Sequence, residues 1–280
     1  MTDKKFILNA DDFGMSQEFN RAVLIGYSNG FLRGASICAN GPAFESAVNE
    51  ILPECQNLSL GVHLNIIEGK SLTHCPLLTD DEGNFNNGYL SIILKSGNKE
   101  FLSQIEKEFR KQIEKVTEVA KPDHIDSHVH VHAIPQIFKI TCKLAKEYDI
   151  PYIRTQNEIL YSVEDKKKTC TFAYSLNIIK NLLLKIFTSQ NRKTAKKYGL
   201  KSNDYLIGVC YTGMMNSNTL EEGLKVIETD PSVTECLIHP KNYPGGRIDN
   251  HTEEFNLSID KRLQDTIYRL GFEISSHKDI

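Results

Sequence analysis

Short apolar runs alternate with helix-length amphipathic stretches nearly from end to end of this chain, and no other feature limits its fold as strongly. The pattern is the signature of βα units around a mainly parallel sheet. Strands are predicted at Phe6 to Asn9, Ala35 to Ala39, Leu58 to Leu64, His124 to Ser127, Tyr152 to Thr155, Leu206 to Val209, Glu235 to Ile238 and Phe272 to Ser275. Eight candidate strands point to an α/β fold of TIM-like barrel type, with some distortion. At 280 residues the chain can close a large core, and α/β barrels reach this length undivided, so one domain over 1–280 is expected.

The first helix is predicted to begin after Ser16, a residue suited to N-capping, with Phe19, Ala22, Val23 and Tyr27 on one apolar stripe. A second stripe, Phe101, Ile105, Phe109, Ile113 and Val116, marks the longest predicted helix. Pro135 suits the first turn of a helix carrying Ile137, Phe138 and Leu144, and the last helix is expected to stop at Gly271. Two segments break the rhythm. Glu68 to Asn98 is rich in Gly, Asn and Asp with weak periodicity, and reads as a long loop of the kind that covers active sites. Lys166 to Lys201 holds ten Lys or Arg and no Asp or Glu, with Leu176, Ile179, Leu183, Ile186 and Phe187 at helical spacing. It reads as a helical insertion around 160–203 whose apolar stripe covers the barrel or faces a twin subunit in a homodimer.

Composition narrows the partners. A net charge of −3 gives no global reason to expect nucleic acid, and lysines opposite an apolar stripe read as a solvated face. No apolar stretch is long enough for a signal peptide or membrane span, so no membrane partner and a cytoplasmic location are expected. Seven scattered cysteines, odd in number and never spaced CxxC, indicate neither a disulfide framework nor a thiolate zinc site.

The chemistry collects at strand exits. Asp11 and Asp12 follow Phe6-Ile7-Leu8, His63 follows Leu58 to Val62, His128 follows His124-Ile125-Asp126, Arg154 follows Tyr152-Ile153 and His239 follows Cys236-Leu237-Ile238. In a parallel barrel those exits share one rim, where enzyme sites are built. Adjacent carboxylates are costly unless a cation or proton relieves them. One oxygen from Asp12 and imidazole nitrogens from His63 and His128 make a three-ligand metal site with room for water or substrate. The HIDSHVHVH stretch places His124, His128, His130 and His132 within a few residues, in a chain with 9 histidines altogether. Asp126 is suited to orienting a ligand, while His130 and His132 fall where they would contact substrate or support the ligands.

Each feature has a plainer alternative. Asp-Asp-Phe-Gly is often a turn after a strand; His63 alone reads more readily as a buried, hydrogen-bonded core residue; Arg154 and His239 alone could be surface or ion-pair residues. Their convergence on one rim, and the clustering of histidines, favour the metal site.

Taken in order, LNADDFGMS with Asn20, Ala-Asn-Gly at 39–41, GVHLN at 61–65 including Asn65, KPDHIDSHVHVH at 121–132, PYIR at 151–154 and ECLIHP at 235–240 resemble the YdjC-like carbohydrate deacetylases, the family that includes the chitooligosaccharide deacetylases. The resemblance implies a distorted (β/α) barrel, a divalent ion (magnesium, with zinc or another transition metal as the alternative) and hydrolysis of an acetyl group from an N-acetylated sugar. Carried over by position, Asp12, His63 and His128 become the metal ligands and Asp11 the catalytic base. His239 resembles the late histidine that protonates the leaving amine, and Arg154 would orient the sugar or Asp11. The chain departs from the family where Lys241 follows Pro240, in place of the common His-Pro-Gly. The rival readings are another metal hydrolase, a cyclic amidohydrolase or phosphoesterase, suggested by His128-x-His130, and a non-catalytic metal- or sugar-binding protein.

Overall fold

The computed structural model of the chain describes residues 3–169 and 171–280. Its main elements in chain order are β1 (Lys4–Phe13), α1 (Gln17–Asn29), β2 (Gly34–Ile37), β3 (Ser59–Leu64), α2 (Tyr89–Lys95), α3 (Lys99–Thr117), β4 (His124–Ser127), α4 (Pro135–Glu147), β5 (Tyr152–Ile153), α5 (Phe172–Lys197), β6 (Tyr205–Ile207), α6 (Ser217–Lys225), β7 (Ser232–Ile238), α7 (Asn250–Ile259), α8 (Lys261–Arg269) and β8 (Phe272–Ile274). The strands pair in parallel in the order β5-β4-β3-β2-β1-β7-β6, a curled sheet of distorted (β/α) barrel type. β8 joins off that path, pairing only with Lys4 to Phe6 of β1, while β2 takes the same edge of β1 from Asn9 onward. At the seam between β5 and β6 the Leu206 N–H donates to the Asn157 carbonyl at 3.0 Å, and the Thr155 N–H donates to Asn203 Oδ1 at 2.7 Å.

Local chemistry accounts for most elements. Ser16 caps α1, its hydroxyl accepting from the Phe19 N–H at 3.4 Å. Pro135 opens α4, where its missing N–H removes nothing. On α3 the stripe Phe101, Ile105, Phe109, Ile113 and Val116 is buried against the sheet.

Four expectations are corrected. Asp11 and Asp12 lie within β1 and do not follow it, because the β1–β2 register shifts between Ala10 and Phe13 and lets the strand continue through a kink. The segment 68–98 is not loop throughout: it ends in α2, hidden from periodicity because only Ile92 is buried there while Leu90 and Leu94 stand 71% and 86% exposed. The longest helix is α5, with 26 residues against 19 for α3. Of the two places expected for its apolar stripe, the one on the barrel is corrected, with Leu176, Ile179 and Ile186 exposed. The buried face of α5 carries Asn181, Leu184, Thr188, Asn191 and Ala195. Asn191 donates to the Ala133 carbonyl at 2.7 Å, and Thr188 to the Gln156 carbonyl at 2.9 Å. The helix covers irregular segments whose backbone groups have no strand partner, so polar side chains make the better contact.

Candidate metal centre

β1 delivers two carboxylates in different directions. Asp11 keeps the strand conformation and is buried, whereas Asp12 has φ 64°, a left-handed conformation uncommon for residues other than glycine. Such strain persists only where surroundings enforce it, and here Asn20 does so. Its side chain accepts from the Gly14 N–H at 2.9 Å and donates to the Ala43 carbonyl at 3.0 Å, pinning the turn after the kink.

The kink brings Asp12 to two histidines from other strands. Asp12 Oδ1 lies 2.8 Å from His128 Nδ1 and 3.3 Å from His63 Nε2, and the donor atoms of all three residues lie within 4.8 Å of one another. His63 Nδ1 faces Asp126 Oδ1 at 2.7 Å, which places a ring proton on Nδ1 and leaves Nε2 to take either a proton or a cation. That Nε2 is buried without a hydrogen-bond partner. A lone pair aimed at a carboxylate oxygen is repulsive unless a cation or proton lies between, so the donor set fits a metal ion. Asp126 then stands behind His63 as carboxylates do behind metal-binding histidines.

Charge points the same way. Asp11, Asp12, Asp126 and Glu235 are all buried. Arg154 spans three of them: Nη1 and Nη2 each meet Asp11 at 2.7 Å, Nη2 meets Asp126 at 2.6 Å, and Nε meets Glu235 at 2.6 Å. One guanidinium leaves a negative excess that calls for further positive charge. Burial alone would lower the His63 imidazole, but the charge of Asp126 and the contacts with Asp12 push it up to about 10. His128, likewise opposed by burial, is raised to about 9 by its bond to Asp12 and its pairing with Glu68. Burial would raise Glu235, yet Arg154 holds it down to about 2.

The other predicted residues are placed unequally. Arg154 fixes Asp11, and Asp126 supports His63. Asn65 clamps the start of the long loop, accepting from the Ile67 and Glu68 N–H groups at 2.9 and 3.1 Å. His132 does not join the donor set: its Nδ1 is 2.5 Å from Ser127 Oγ, its Nε2 is 3.1 Å from the Arg154 carbonyl, and burial pulls it down to about 4. His130 is also buried apart from the donors, at φ 61°, with Nδ1 unpartnered; burial and the charges of Lys180 and Arg154 keep it neutral. His239 makes no bond to Asp11 and pairs instead with Glu254.

Sequence reasoning missed several participants. Ser36 donates to Asp126 Oδ2 at 2.9 Å, Asn9 donates to Asp11 Oδ1 at 2.9 Å, and Glu68 Oε2 lies 3.6 Å from His128 Nε2. Glu235 carried a usable signal, a charged residue inside an otherwise apolar strand, whereas a lone serine or asparagine carries none. A second group, Asp123, His124 and His277, also gathers donors within 4.8 Å. There, however, His124 Nδ1 meets Asp123 at 2.7 Å, His124 Nε2 meets Asn9 Oδ1 at 3.1 Å, and His277 Nδ1 meets Ser59 Oγ at 3.1 Å.

The YdjC-like protein family model matches residues 5–269. A carbohydrate deacetylase of Clostridium beijerinckii is 32% identical over 223 residues, 77% of this chain and 84% of that protein. A carbohydrate deacetylase of Brevibacillus brevis is 38% identical over 149 residues, 52% of this chain and 58% of that protein. Among solved structures, an Enterococcus faecalis V583 protein named for cellobiose-phosphate cleavage superposes with a TM-score of 0.77 over 99% of both chains at 19% identity, a likeness of fold. With its family model matched over nearly the whole length, the chain belongs to the YdjC-like proteins.

Proposed function

We propose that this protein is a metal-dependent carbohydrate deacetylase, hydrolysing the acetyl amide of an N-acetylated sugar, and that residues 1–280 act as one domain. The observation that carries the reading is an unpartnered, buried His63 Nε2 beside Asp12 together with a second carboxylate, Asp11, whose two oxygens are fixed by Arg154. A binding site alone has no need of the extra carboxylate. The names of the Clostridium and Brevibacillus relatives support the same class of substrate.

In this reading Asp12, His63 and His128 hold one divalent ion, magnesium or a transition metal. Bound there, the ion would acidify water and polarise the acetyl carbonyl. The protein's own groups do the rest. Asp126 keeps the His63 ring in the tautomer that presents Nε2. Arg154 and Asn9 fix Asp11, which accepts the proton of the attacking water. His239 hands a proton to the departing amine nitrogen.

The direct test is acetate release from N-acetylglucosamine oligomers and related acetylated sugars, with and without chelator. Release that stops on chelation and returns on adding a divalent ion is expected. A broad panel with no release, or release indifferent to chelator, would sink the proposal.

A further inference from the structure

The segment leaving β7 carries His239, and α7 grips it at three points. Glu254 Oε2 accepts from the His239 backbone N–H at 2.5 Å, His251 Nδ1 lies 2.8 Å from the His239 carbonyl, and the Lys241 N–H donates to the His251 carbonyl at 3.1 Å. The same Glu254 oxygen lies 3.4 Å from His239 Nδ1. Glu254 is itself 1% exposed, while the His239 side chain is 23% exposed. A buried carboxylate therefore faces one edge of a ring whose other edge is free to meet solvent or substrate.

We infer that Glu254 is a positioning residue that holds His239 in its protonated form and aims it at the leaving group. The inference rests on the deacetylase reading. Its proton balance is complete: water adds hydroxyl to the acetyl carbon and gives its proton to Asp11. The C–N bond then breaks with its electron pair on nitrogen, which takes a proton from His239, and the proton on Asp11 returns to His239 through solvent. A ring that must carry a proton at neutral pH needs a fixed negative partner, because burial alone lowers its pKa. Besides Glu254, the charges of Asp11 and Asp12 on β1 favour the protonated ring; His130 faces it from the turn after β4, and His251 lies on α7. Lys241 is turned away over the Phe19 ring, 4.5 Å from its centroid.

The test compares wild type, Glu254→Gln and His239→Ala, all metal-loaded, on an N-acetylated sugar and on an aryl acetate whose leaving group needs little protonation. For Glu254→Gln, kcat on the amide should fall about tenfold to a hundredfold. Its alkaline limb should move to lower pH, because the ring loses the charge that kept it protonated. The loss should shrink on the aryl ester, and Glu254→Asp should recover part of both effects. Equal losses on both substrates with an unmoved pH profile would leave Glu254 a purely structural anchor and overturn the inference. Full amide activity in His239→Ala would refute the acid itself. Loss in His239→Ala without a pH shift in either Glu254 variant would refute only the positioning role. Should Glu254→Gln not fold, judged by circular dichroism, the pH profile of Glu254→Asp carries the decision.

Discussion

Among the described residues lie two groups of one aspartate and two histidines, and they differ in how their rings are packed. In Asp12, His63 and His128, the unpartnered Nε2 of His63 points toward the Asp12 carboxylate. In Asp123, His124 and His277, both nitrogens of His124 already face oxygens, and Nδ1 of His277 meets Ser59. The nitrogen that group leaves unpartnered, Nε2 of His277, faces Glu235 at 3.6 Å. The two rings also stack, with centroids 3.6 Å apart and planes within 15°. Room for that stack comes from Gly61, where a Cβ would sit 2.2 Å from His124 Nε2, and from Gly34, where one would sit 3.1 Å from the His277 ring. Equal composition thus yields an open donor set in one place and a packed polar core in the other.

The contrast can be broken or sharpened by experiment. Asp11→Asn, beside the first group, should keep fold and metal but lose about a hundredfold or more in kcat, as removal of a general base does. Near-normal turnover would remove Asp11 from the reaction. His128→Ala should weaken metal binding by more than about a hundredfold, read by calorimetry; unchanged affinity would mean that the ion sits elsewhere. His277→Ala, in the second group, should lower stability by about 2 kcal/mol through lost packing and an abandoned hydroxyl partner, with metal content unaltered. Metal analysis of the wild type should find one ion per chain, and a second ion lost in His277→Ala would erase the distinction between the groups. The smallest effect is expected of Ser59→Ala, about 1 kcal/mol of stability from a single hydrogen-bonding hydroxyl.

Helices α3 and α5 show why some of the fold was legible and some not. The stripe on α3 packs on the sheet, so apolar periodicity and burial coincide. On α5 they are opposed, because the surface it covers is irregular backbone that needs amide and hydroxyl partners, and Asn181, Thr188 and Asn191 supply them. Periodicity reports which face is apolar, and only the surface opposite decides which face is buried. The donor residues were visible for the reason the strands were: each stands at or near the exit of an apolar run, and a parallel sheet gathers such exits.

The sequence by itself determined the succession of strands and helices, the common rim, and the residue types able to bind a cation there, because these follow from local patterning and from the geometry of parallel strands. Only the tertiary structure decided that Arg154 ties Asp11 to Asp126 and Glu235, that His63 presents Nε2 while His132 is spent on Ser127, and that Glu254 stands behind His239. Those choices depend on through-space distances of a few ångströms between residues far apart in the chain, and on the competition of each polar group for partners in a buried, low-dielectric interior.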